Sequence, residues 1–394
     1  MLRRNNNGPL YMLRRSSTRT PRAANRLPLP EEVALVLQGG GALGAYQAGV
    51  YEALDHAGIQ IDWLAGISIG AINAAVIAGN RAEERVPRLR ALWETFSSEW
   101  AFLAGHQGPN STTHRFTAAY AATAGVPGFY RPRPLTPMLA TPGSPEAVSW
   151  YNTGPLVRTL NELIDWDLLN DGPTRLSVGA VNIETGNFRY FDTTCERLDA
   201  RHIMASGALP PGFPPVEIEG EWYWDGGLVS NTPLTHVLGN QTAEMLVFQV
   251  DLFPARGDRP RDLSEAYSRE KDIRYSSRSR QVTDVLLKFR SEHALVRRML
   301  ASLPDTLITS PEVAEIAEMV ADPAVNIVHL IYRRRQWEGW ARDFEFSRSG
   351  MEAHWQAGRD AVAQTMQRDQ LLARNIMDCR TAAFDLTDKE GILE

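Results

Sequence analysis

Runs of apolar residues alternate with helical segments along the first two thirds of the chain. Continuous apolar runs are typical of strands that are buried on both faces of a parallel sheet, and such runs lie at residues 33–37 and 245–250. Residues 61–67 and 176–182 also predict strands. Segments with helical spacing or many small residues predict helices at residues 44–56, 70–78 and 84–96. Turn residues between shorter runs predict hairpins at residues 176–192 and 216–224. This alternation predicts an α/β layered sheet up to about residue 253.

The pattern becomes mainly helical beyond residue 255. Residues 262–303 and 349–374 are long, charged and amphipathic, which predicts two long helices, and residues 311–320 predict a short one. The apolar run at residues 325–332 predicts one strand. Such a region is either a separate accessory domain or a set of additional layers on the first core.

Residues 101–155 interrupt the alternation. They are rich in Gly, Pro, Thr and Ala, and prolines recur from Pro127 to Pro145. Because proline breaks helices and strand ladders, long regular elements are not expected there. The segment is either a packed surface excursion or a lid that contacts an acyl chain.

Charge is distributed unevenly along the chain. Residues 1–30 contain seven Arg and no acid, whereas the remaining 34 basic and 47 acidic residues give residues 31–394 a net charge of −13. An acidic body is a poor nucleic-acid binder, so no nucleic-acid partner is expected. The N-terminal segment lacks the apolar core of a secretory signal. We interpret it as a disordered basic arm that can adhere weakly to anionic membranes; a transit peptide, or a reading frame that truly starts at Met12, would have the same composition.

Composition also argues against disulfide and metal chemistry. Two cysteines cannot form a disulfide framework or a four-ligand zinc site, and the eight histidines show no metal-binding spacing. No cofactor or metal is therefore expected. Residues 63–80 carry no charge and approach the length of a membrane span. Their small and polar residues favour a buried strand followed by a buried helix instead.

A GxSxG motif lies between a predicted strand and a predicted helix, at Gly66, Ser68 and Gly70. This is the context of a nucleophile elbow, in which a sharp turn exposes the serine hydroxyl. Glycine on both sides removes the Cβ atoms that would obstruct such a turn. The motif predicts a nucleophilic serine, and the alternative is a glycine-rich turn whose serine only caps the helix.

A second glycine-rich loop, QGGGALG at residues 38–44, also follows a buried strand and opens a helix. Backbone amides of such loops point at anions, so the loop is a candidate oxyanion hole. Gly39, Gly41 and Gly44 also satisfy GxGxxG, with Asp62 near the position of a ribose-binding acid. Because Asp62 precedes the next strand, the dinucleotide interpretation is the weaker one.

The third feature is Asp225, which ends a predicted strand and is followed by Gly226 and Gly227. An acid held at such a turn can be approached by another side chain. Taken alone, Asp-Gly-Gly is only a turn.

Together these motifs resemble those of the patatin-like phospholipase family. GGGALG is followed by GISIG and, far downstream, by DGG. Residues 205–215, ASGALPPGFPP, and residues 231–233, NTP, also resemble that family. The resemblance covers about residues 31–255.

The resemblance implies a three-layer α/β/α fold with a mainly parallel central sheet. Residues 31–255 would form the catalytic domain, with residues 101–155 as its insertion or lid. Outside the resemblance, the sequence pattern predicts a mostly helical C-terminal region with one strand at residues 256–394, and composition predicts the disordered arm at residues 1–30.

The resemblance also implies a Ser–Asp dyad without histidine. Ser68 would be the nucleophile and Asp225 the base. Amides of the first loop, from Gly39, Gly40 and Gly41, would form the oxyanion hole.

The chain departs from the family pattern at one position. Many members carry Arg or Lys before the last glycine of the first loop, where this chain has Leu43. The missing charge weakens the case for a phospholipid as the required substrate. Residues 344–347, FEFS, and Trp355 resemble an extension that some bacterial members carry.

Two other interpretations are compatible with the sequence. An ordinary α/β-hydrolase triad needs a histidine after the acid in chain order, and the candidates are His236, His293, His329 and His354. Each is more typical of a structural or surface histidine. The chain could also be a non-catalytic lipid-binding protein that keeps the fold.

The implied activity is hydrolysis of carboxylic esters of lipids through an acyl-enzyme. An aspartate needs a raised pKa to act as the base, and Trp222 and Trp224 are candidates for the apolar surroundings that would raise it. The expected partner is a lipid or acyl-ester substrate, with transient membrane contact from a cytoplasmic location. Phospholipid, lysophospholipid, glyceride, thioester and polyester substrates all fit the motifs, and nothing indicates the oligomeric state.

Overall fold

The computed structural model describes residues 27–97, 111–304, 310–333, 335, 338–387 and 391–392. The predicted basic arm, residues 1–30, lies almost entirely outside the described residues, as does the start of the 101–155 segment.

Ten of the described strands form one mixed sheet. The strands in chain order are β1 (Glu32–Leu37), β2 (Trp63–Gly66), β3 (Arg131–Pro132), β4 (Tyr151–Asn152), β5 (Arg175–Asn182), β6 (Phe188–Asp192), β7 (Val216–Ile218), β8 (Glu221–Asp225), β9 (Met245–Asp251), β10 (Val325–Ile331), β11 (Ala382–Asp385) and β12 (Gly391–Ile392). Their order in the sheet is β12-β11-β10-β9-β1-β2-β5-β8-β7, with β6 paired to β5, while β3 and β4 form a separate hairpin. The strands from β11 to β5 pair in parallel, and β6, β7, β8 and β12 pair antiparallel.

Helices surround the sheet. In chain order they are α1 (Gly44–His56), α2 (Ile69–Ala78), α3 (Ala82–Phe96), α4 (Ser111–Ala124), α5 (Gly154–Leu163), α6 (Trp166–Asp171), α7 (Ala200–Ser206), α8 (Leu234–Gly239), α9 (Leu263–Leu300), α10 (Pro311–Met319), α11 (Arg348–Gln367) and α12 (Asp369–Met377).

Side chains of β1 alternate between two apolar layers, because successive residues of a strand face opposite sides of the sheet. Val33, Leu35 and Leu37 pack into the larger core with α1, α2 and α11. Ala34 and Val36 pack into the second core with α8 and α9. The chain therefore has the predicted three-layer α/β/α architecture, with a sheet that is mostly parallel.

The C-terminal residues extend this core and do not form a separate accessory domain. β10 and β11 continue the sheet beyond β9, and α11 packs tightly along α1, where a Cβ on Gly358 would lie 2.1 Å from the carbonyl oxygen of Tyr46. In the described part of residues 256–394, three strands are present where the sequence predicts one. β11 and β12 contain only four and two residues, which is too short to show a period.

Two other local predictions differ from the structure. The sequence predicts no long regular element in residues 101–155, but α4 occupies residues 111–124. This helix forms because it ends before Pro127 and contains neither Gly nor Pro. The single helix predicted at residues 349–374 is broken at Arg368, whose φ of −120° and ψ of 23° are not helical.

None of the described helices combines the length and apolarity needed to cross a bilayer.

Candidate active site

Ser68 sits on a strained turn between β2 and α2. Its backbone has a φ of 56° and a ψ of −124°, a conformation that costs a non-glycine residue about 1–3 kcal/mol. A Cβ on Gly66 would lie 2.4 Å from the carbonyl oxygen of Gly70, and a Cβ on Gly70 would lie 2.3 Å from that of Leu37. Ser206 holds the turn in place, since its carbonyl oxygen and its hydroxyl accept from the Ser68 N–H at 3.1 and 3.0 Å. The predicted elbow is therefore present.

β2 and β8 approach each other along one edge of β5, while β6 occupies the other edge. Gly66 ends β2 opposite Val178, and Asp225 ends β8 opposite Ala180. Because β2 is parallel and β8 antiparallel to β5, their carboxyl ends meet. Ser68, two residues beyond β2, is thereby placed beside Asp225.

Asp225 is buried, with 2% of its surface exposed. Its carboxylate accepts from the Gly227 N–H at 2.7 Å, and the Ser68 side chain interacts with it and lowers its pKa. Burial raises the pKa of Asp225 to about 7, and the interactions with the Gly227 N–H and with Ser68 oppose only part of that rise. The expectation that Trp222 and Trp224 surround the carboxylate is wrong, because strand alternation places them on the face of β8 opposite to Asp225.

The glycine loop is clamped by Asn231. The Gly39 N–H donates to the Asn231 carbonyl oxygen at 3.2 Å, and the Asn231 side chain donates to the Gly39 carbonyl oxygen at 2.9 Å. The Gly39 amide is therefore already used, which corrects its assignment as an oxyanion donor. Gly40 and Gly41 lie half-buried at the start of a short 3₁₀ turn, and their amides remain the candidates.

Gln38 anchors the start of the same loop. Its side-chain oxygen accepts from the amides of Leu252 and Phe253 at 2.6 and 3.2 Å. Its side-chain nitrogen donates to the Thr232 hydroxyl at 3.1 Å and to the Tyr275 carbonyl oxygen at 3.2 Å. Since Tyr275 belongs to α9, the C-terminal region is tied directly to the glycine loop.

No cofactor site is formed by the predicted residues. The Asp62 carboxylate accepts from the Val33 N–H at 2.8 Å, at the amino ends of β1 and β2, whereas the glycine loop lies at the carboxyl ends. The dinucleotide interpretation is therefore wrong. Within the described part of the chain, no three His, Cys, Asp or Glu side chains are grouped to hold a metal ion.

The histidines required by a Ser–Asp–His triad are engaged elsewhere. Each lies beside an acid other than Asp225; the pairs are His236 with Asp192, His293 with Asp322, His329 with Asp251 and His354 with Glu338. The Asp225 carboxylate accepts from the Gly227 N–H and interacts with Ser68, and no described imidazole donates to it. The geometry therefore favours a dyad.

Three supporting residues had no role assigned from the sequence. Ser206 and Asn231 lie in the two segments that resemble the family, and Gln38 is the first residue of the glycine loop. Their hydrogen bonds join residues that are 138, 192 and 214 positions apart in the chain. Their roles therefore cannot be predicted from the neighbouring sequence and become visible only in the folded structure.

Two family profiles match the chain. The profile of the patatin-like phospholipase family matches residues 35–238, and a second profile, described as patatin phospholipase, matches residues 273–378. The lysophospholipase nte1 of Aspergillus oryzae is 26% identical over 269 residues, which cover 66% of this chain and 14% of that protein. The neuropathy target esterase sws of Drosophila willistoni is 38% identical over 68 residues, which cover 17% of this chain and 5% of that protein.

Some solved structures also match the chain, with sequence identities of 12–15%. Human GIVD cytosolic phospholipase A2 is 12% identical with a TM-score of 0.40, over 89% of this chain and 61% of that one. VipD from Legionella pneumophila is 15% identical with a TM-score of 0.34, over 87% and 72%. The first family profile spans more than half of the 394 residues, and the chain therefore belongs to the patatin-like phospholipase family.

Proposed function

We propose that the protein hydrolyses carboxylic esters of lipids, with Ser68 as nucleophile and Asp225 as its general base. The observation that carries the proposal is the meeting of the strained elbow that bears Ser68 with the buried Asp225, since β2 and β8 end opposite Val178 and Ala180 of β5. A pKa of about 7 suits the base, because such a group is ionised in half of the molecules at neutral pH and still binds the proton it receives.

Acylation begins when Asp225 takes the hydroxyl proton as Ser68 Oγ attacks the ester carbonyl carbon. The carbonyl oxygen becomes an oxyanion, which the amides of Gly40 and Gly41 stabilise. The positive end of α2, which begins at Ile69, favours the same charge. The bond to the alkoxy oxygen then breaks, Asp225 returns the proton to the leaving alcohol, and the acyl group stays on Ser68.

Deacylation repeats these steps with water. Asp225 takes a proton from the water molecule that attacks the acyl carbonyl, the bond from that carbon to Ser68 Oγ breaks, and Asp225 returns the proton to Ser68. One carboxylate thus serves as acid and base in both halves, and no histidine is needed.

A lipid is the proposed substrate class because the family and the matched relatives are named as phospholipases, lysophospholipases and an esterase. The chain covers only a small fraction of those relatives, so their whole activities are not transferred. Leu43 is fully buried and supplies no charge at the glycine loop, which favours substrates whose recognition does not depend on a cation there. Contact with a membrane surface and a cytoplasmic location stay predictions.

The test is hydrolysis of a lysophospholipid, a diacyl phospholipid and a glyceride by the purified full chain. Ser68→Ala should lower turnover of every accepted substrate by at least about 10³-fold with unchanged circular dichroism. Ser291→Ala, at an exposed serine of α9, is the matched control and should keep wild-type activity. Equal activity of Ser68→Ala and wild type would refute the nucleophile.

The two alternatives give different results in the same assay. A Ser–Asp–His triad requires that one substitution among the four histidines abolish turnover while the fold is kept. A non-catalytic lipid-binding protein would bind the lipids and hydrolyse none.

A further inference from the structure

Residues 133–150 form a loop between β3 and β4 that presents apolar side chains to solvent; we call it the apolar flap. Its exposed apolar residues are between 43% and 73% accessible: Leu135, Met138, Leu139, Val148 and Trp150. Single exposed apolar residues are normal on protein surfaces, but five from one segment mark a surface that binds something.

The base of the flap is fixed to the protein. The Trp150 N–H donates to the Pro211 carbonyl oxygen at 3.1 Å, and the Tyr151 N–H donates to that of Gly212 at 2.9 Å. The Tyr151 hydroxyl donates to the Ala122 carbonyl oxygen at 2.7 Å. The apolar side chains are therefore held outward by an anchored hairpin.

This base adjoins the nucleophile. Pro211 and Gly212 belong to the loop that follows Ser206, the residue whose carbonyl oxygen and hydroxyl accept from the Ser68 N–H. A Cβ on Gly207, at the start of that loop, would lie 3.9 Å from the Ser68 Cα. The flap is thus separated from the reacting serine by one short loop.

Further exposed apolar side chains follow the other member of the dyad. Leu228 and Val229, three and four residues after Asp225, are 43% and 39% accessible. Apolar surface therefore adjoins both residues of the dyad.

The charges of the flap also suit a lipid surface. Glu146 is the only acid of residues 133–150, and it pairs with Arg133 at 3.3 Å. The flap therefore presents no unpaired acid to an anionic headgroup, and the neighbouring Arg131 is exposed. Side chains on a protruding loop can enter lipid without a partner of complementary shape, as interfacial protein segments do.

We propose that the apolar flap docks on a lipid surface, so that an ester substrate moves from that surface to Ser68 without crossing water. The proposal rests on the proposed lipid hydrolase function and names the surface that would serve it. Met138 and Leu139, the two most exposed residues of the flap, would enter the lipid first.

The direct test is flotation of the full chain with vesicles of phosphatidylcholine, in a Ser68→Ala background that prevents hydrolysis. Phosphatidylcholine is zwitterionic, and vesicles without net charge are used because the arginine-rich N-terminal segment would itself be attracted to anionic ones. The flap variant is Met138→Glu with Leu139→Glu. The matched control is Met319→Glu with Met377→Glu, at methionines that are 64% and 65% accessible on α10 and α12.

We expect the flap variant to lower the vesicle-bound to free ratio at least about tenfold, since two apolar contacts become charged, and the control variant to leave it unchanged. With Ser68 intact, the flap variant should lose hydrolysis of lipid in vesicles to a similar extent but keep hydrolysis of a short-chain, water-soluble ester.

Three outcomes overturn the proposal: no binding of the starting protein, equal binding of the flap variant, or loss of a concentration-dependent dimer in that variant, which would make the flap a contact between two copies. If the water-soluble ester is not hydrolysed by the wild type, the enzymatic function fails instead, and the flotation result still decides the role of the flap.

Discussion

The backbone carbonyl of Asp343 lies against Gly41, where a Cβ would stand only 2.2 Å from the Asp343 oxygen. Residues more than 300 positions apart in the chain are therefore in contact at the glycine loop. Lys271 holds Asp343 through hydrogen bonds of 2.8 and 2.9 Å to its carboxylate. The C-terminal region thus supports the loop that we propose as the oxyanion hole.

Gly41→Ala should lower stability and activity more than alanine does at another glycine with a positive φ. Gly41 has a φ of +56° and meets Asp343, whereas Gly186 has a φ of +68° and no atom within 4 Å. Gly186→Ala should cost only the backbone strain, about 1–2 kcal/mol in the free energy of unfolding. Gly41→Ala should cost more than that and lower kcat about 10²-fold by displacing an oxyanion donor. Urea denaturation and steady-state kinetics of both variants measure this; equal stability losses with full activity would contradict it.

The pH dependence of activity should report the ionisation of Asp225. Burial raises its pKa to about 7, and only the ionised carboxylate accepts the Ser68 proton. The value of kcat/KM should therefore rise about tenfold per pH unit below this pKa and level off above it. The measurement is the hydrolysis of a soluble ester between pH 5 and 9. A profile that stays flat across that range would argue against Asp225 as the base.

Asp225→Asn should stabilise the protein at alkaline pH while it abolishes turnover. Because the folded pKa of about 7 exceeds the ordinary aspartate pKa of 3.8, wild-type stability falls as pH rises between these two values and stays low above them. Asparagine cannot ionise, so the variant should gain roughly 2–4 kcal/mol over wild type at pH 8 and little at pH 4. Thermal unfolding of both proteins at pH 4 and pH 8 tests this. If the variant differed from wild type in stability by the same amount at both pH values, the ionisation of Asp225 would not be coupled to folding.

Asn231→Ala should act on the glycine loop and not on substrate binding. Its side chain donates to the Gly39 carbonyl oxygen, so its loss should destabilise the protein by about 1–3 kcal/mol. The amides of Gly40 and Gly41 would then shift, which should lower kcat about tenfold or more with KM little changed.

The matched control for Asn231 is Asn240→Ala. The Asn240 side chain also donates to a backbone carbonyl, that of His236, at 2.8 Å, but lies at the end of α8 away from the loop. It should lose stability without a selective loss of kcat. Similar kinetic effects of the two variants would mean that Asn231 has only a structural role.

Local patterns predicted the elements that carry the site, because each depends on neighbouring residues. The run at residues 33–37 became β1, the segment 44–56 became α1, and GxSxG became the turn from β2 to α2. Two glycines around a serine fix such a turn through contacts only a few residues away, as those of Gly66 and Gly70 show.

Contacts between distant segments could not be predicted in this way. The use of the Gly39 amide by Asn231, the contact of Gly41 with Asp343 and the burial of Asp225 all depend on tertiary packing. The same limit applies to β11 and β12, whose position at the sheet edge is decided by pairing and not by their own residues.

The central claim is that Ser68 is activated by Asp225. The most direct measurement is the site and rate of modification by a fluorophosphonate, which reacts with activated serines, followed by peptide mass spectrometry. We predict one adduct, on the peptide that contains Ser68, with no labelling in Ser68→Ala and labelling slowed at least about 10²-fold in Asp225→Asn. Modification of a different serine, or an unchanged rate in Asp225→Asn, would contradict the account.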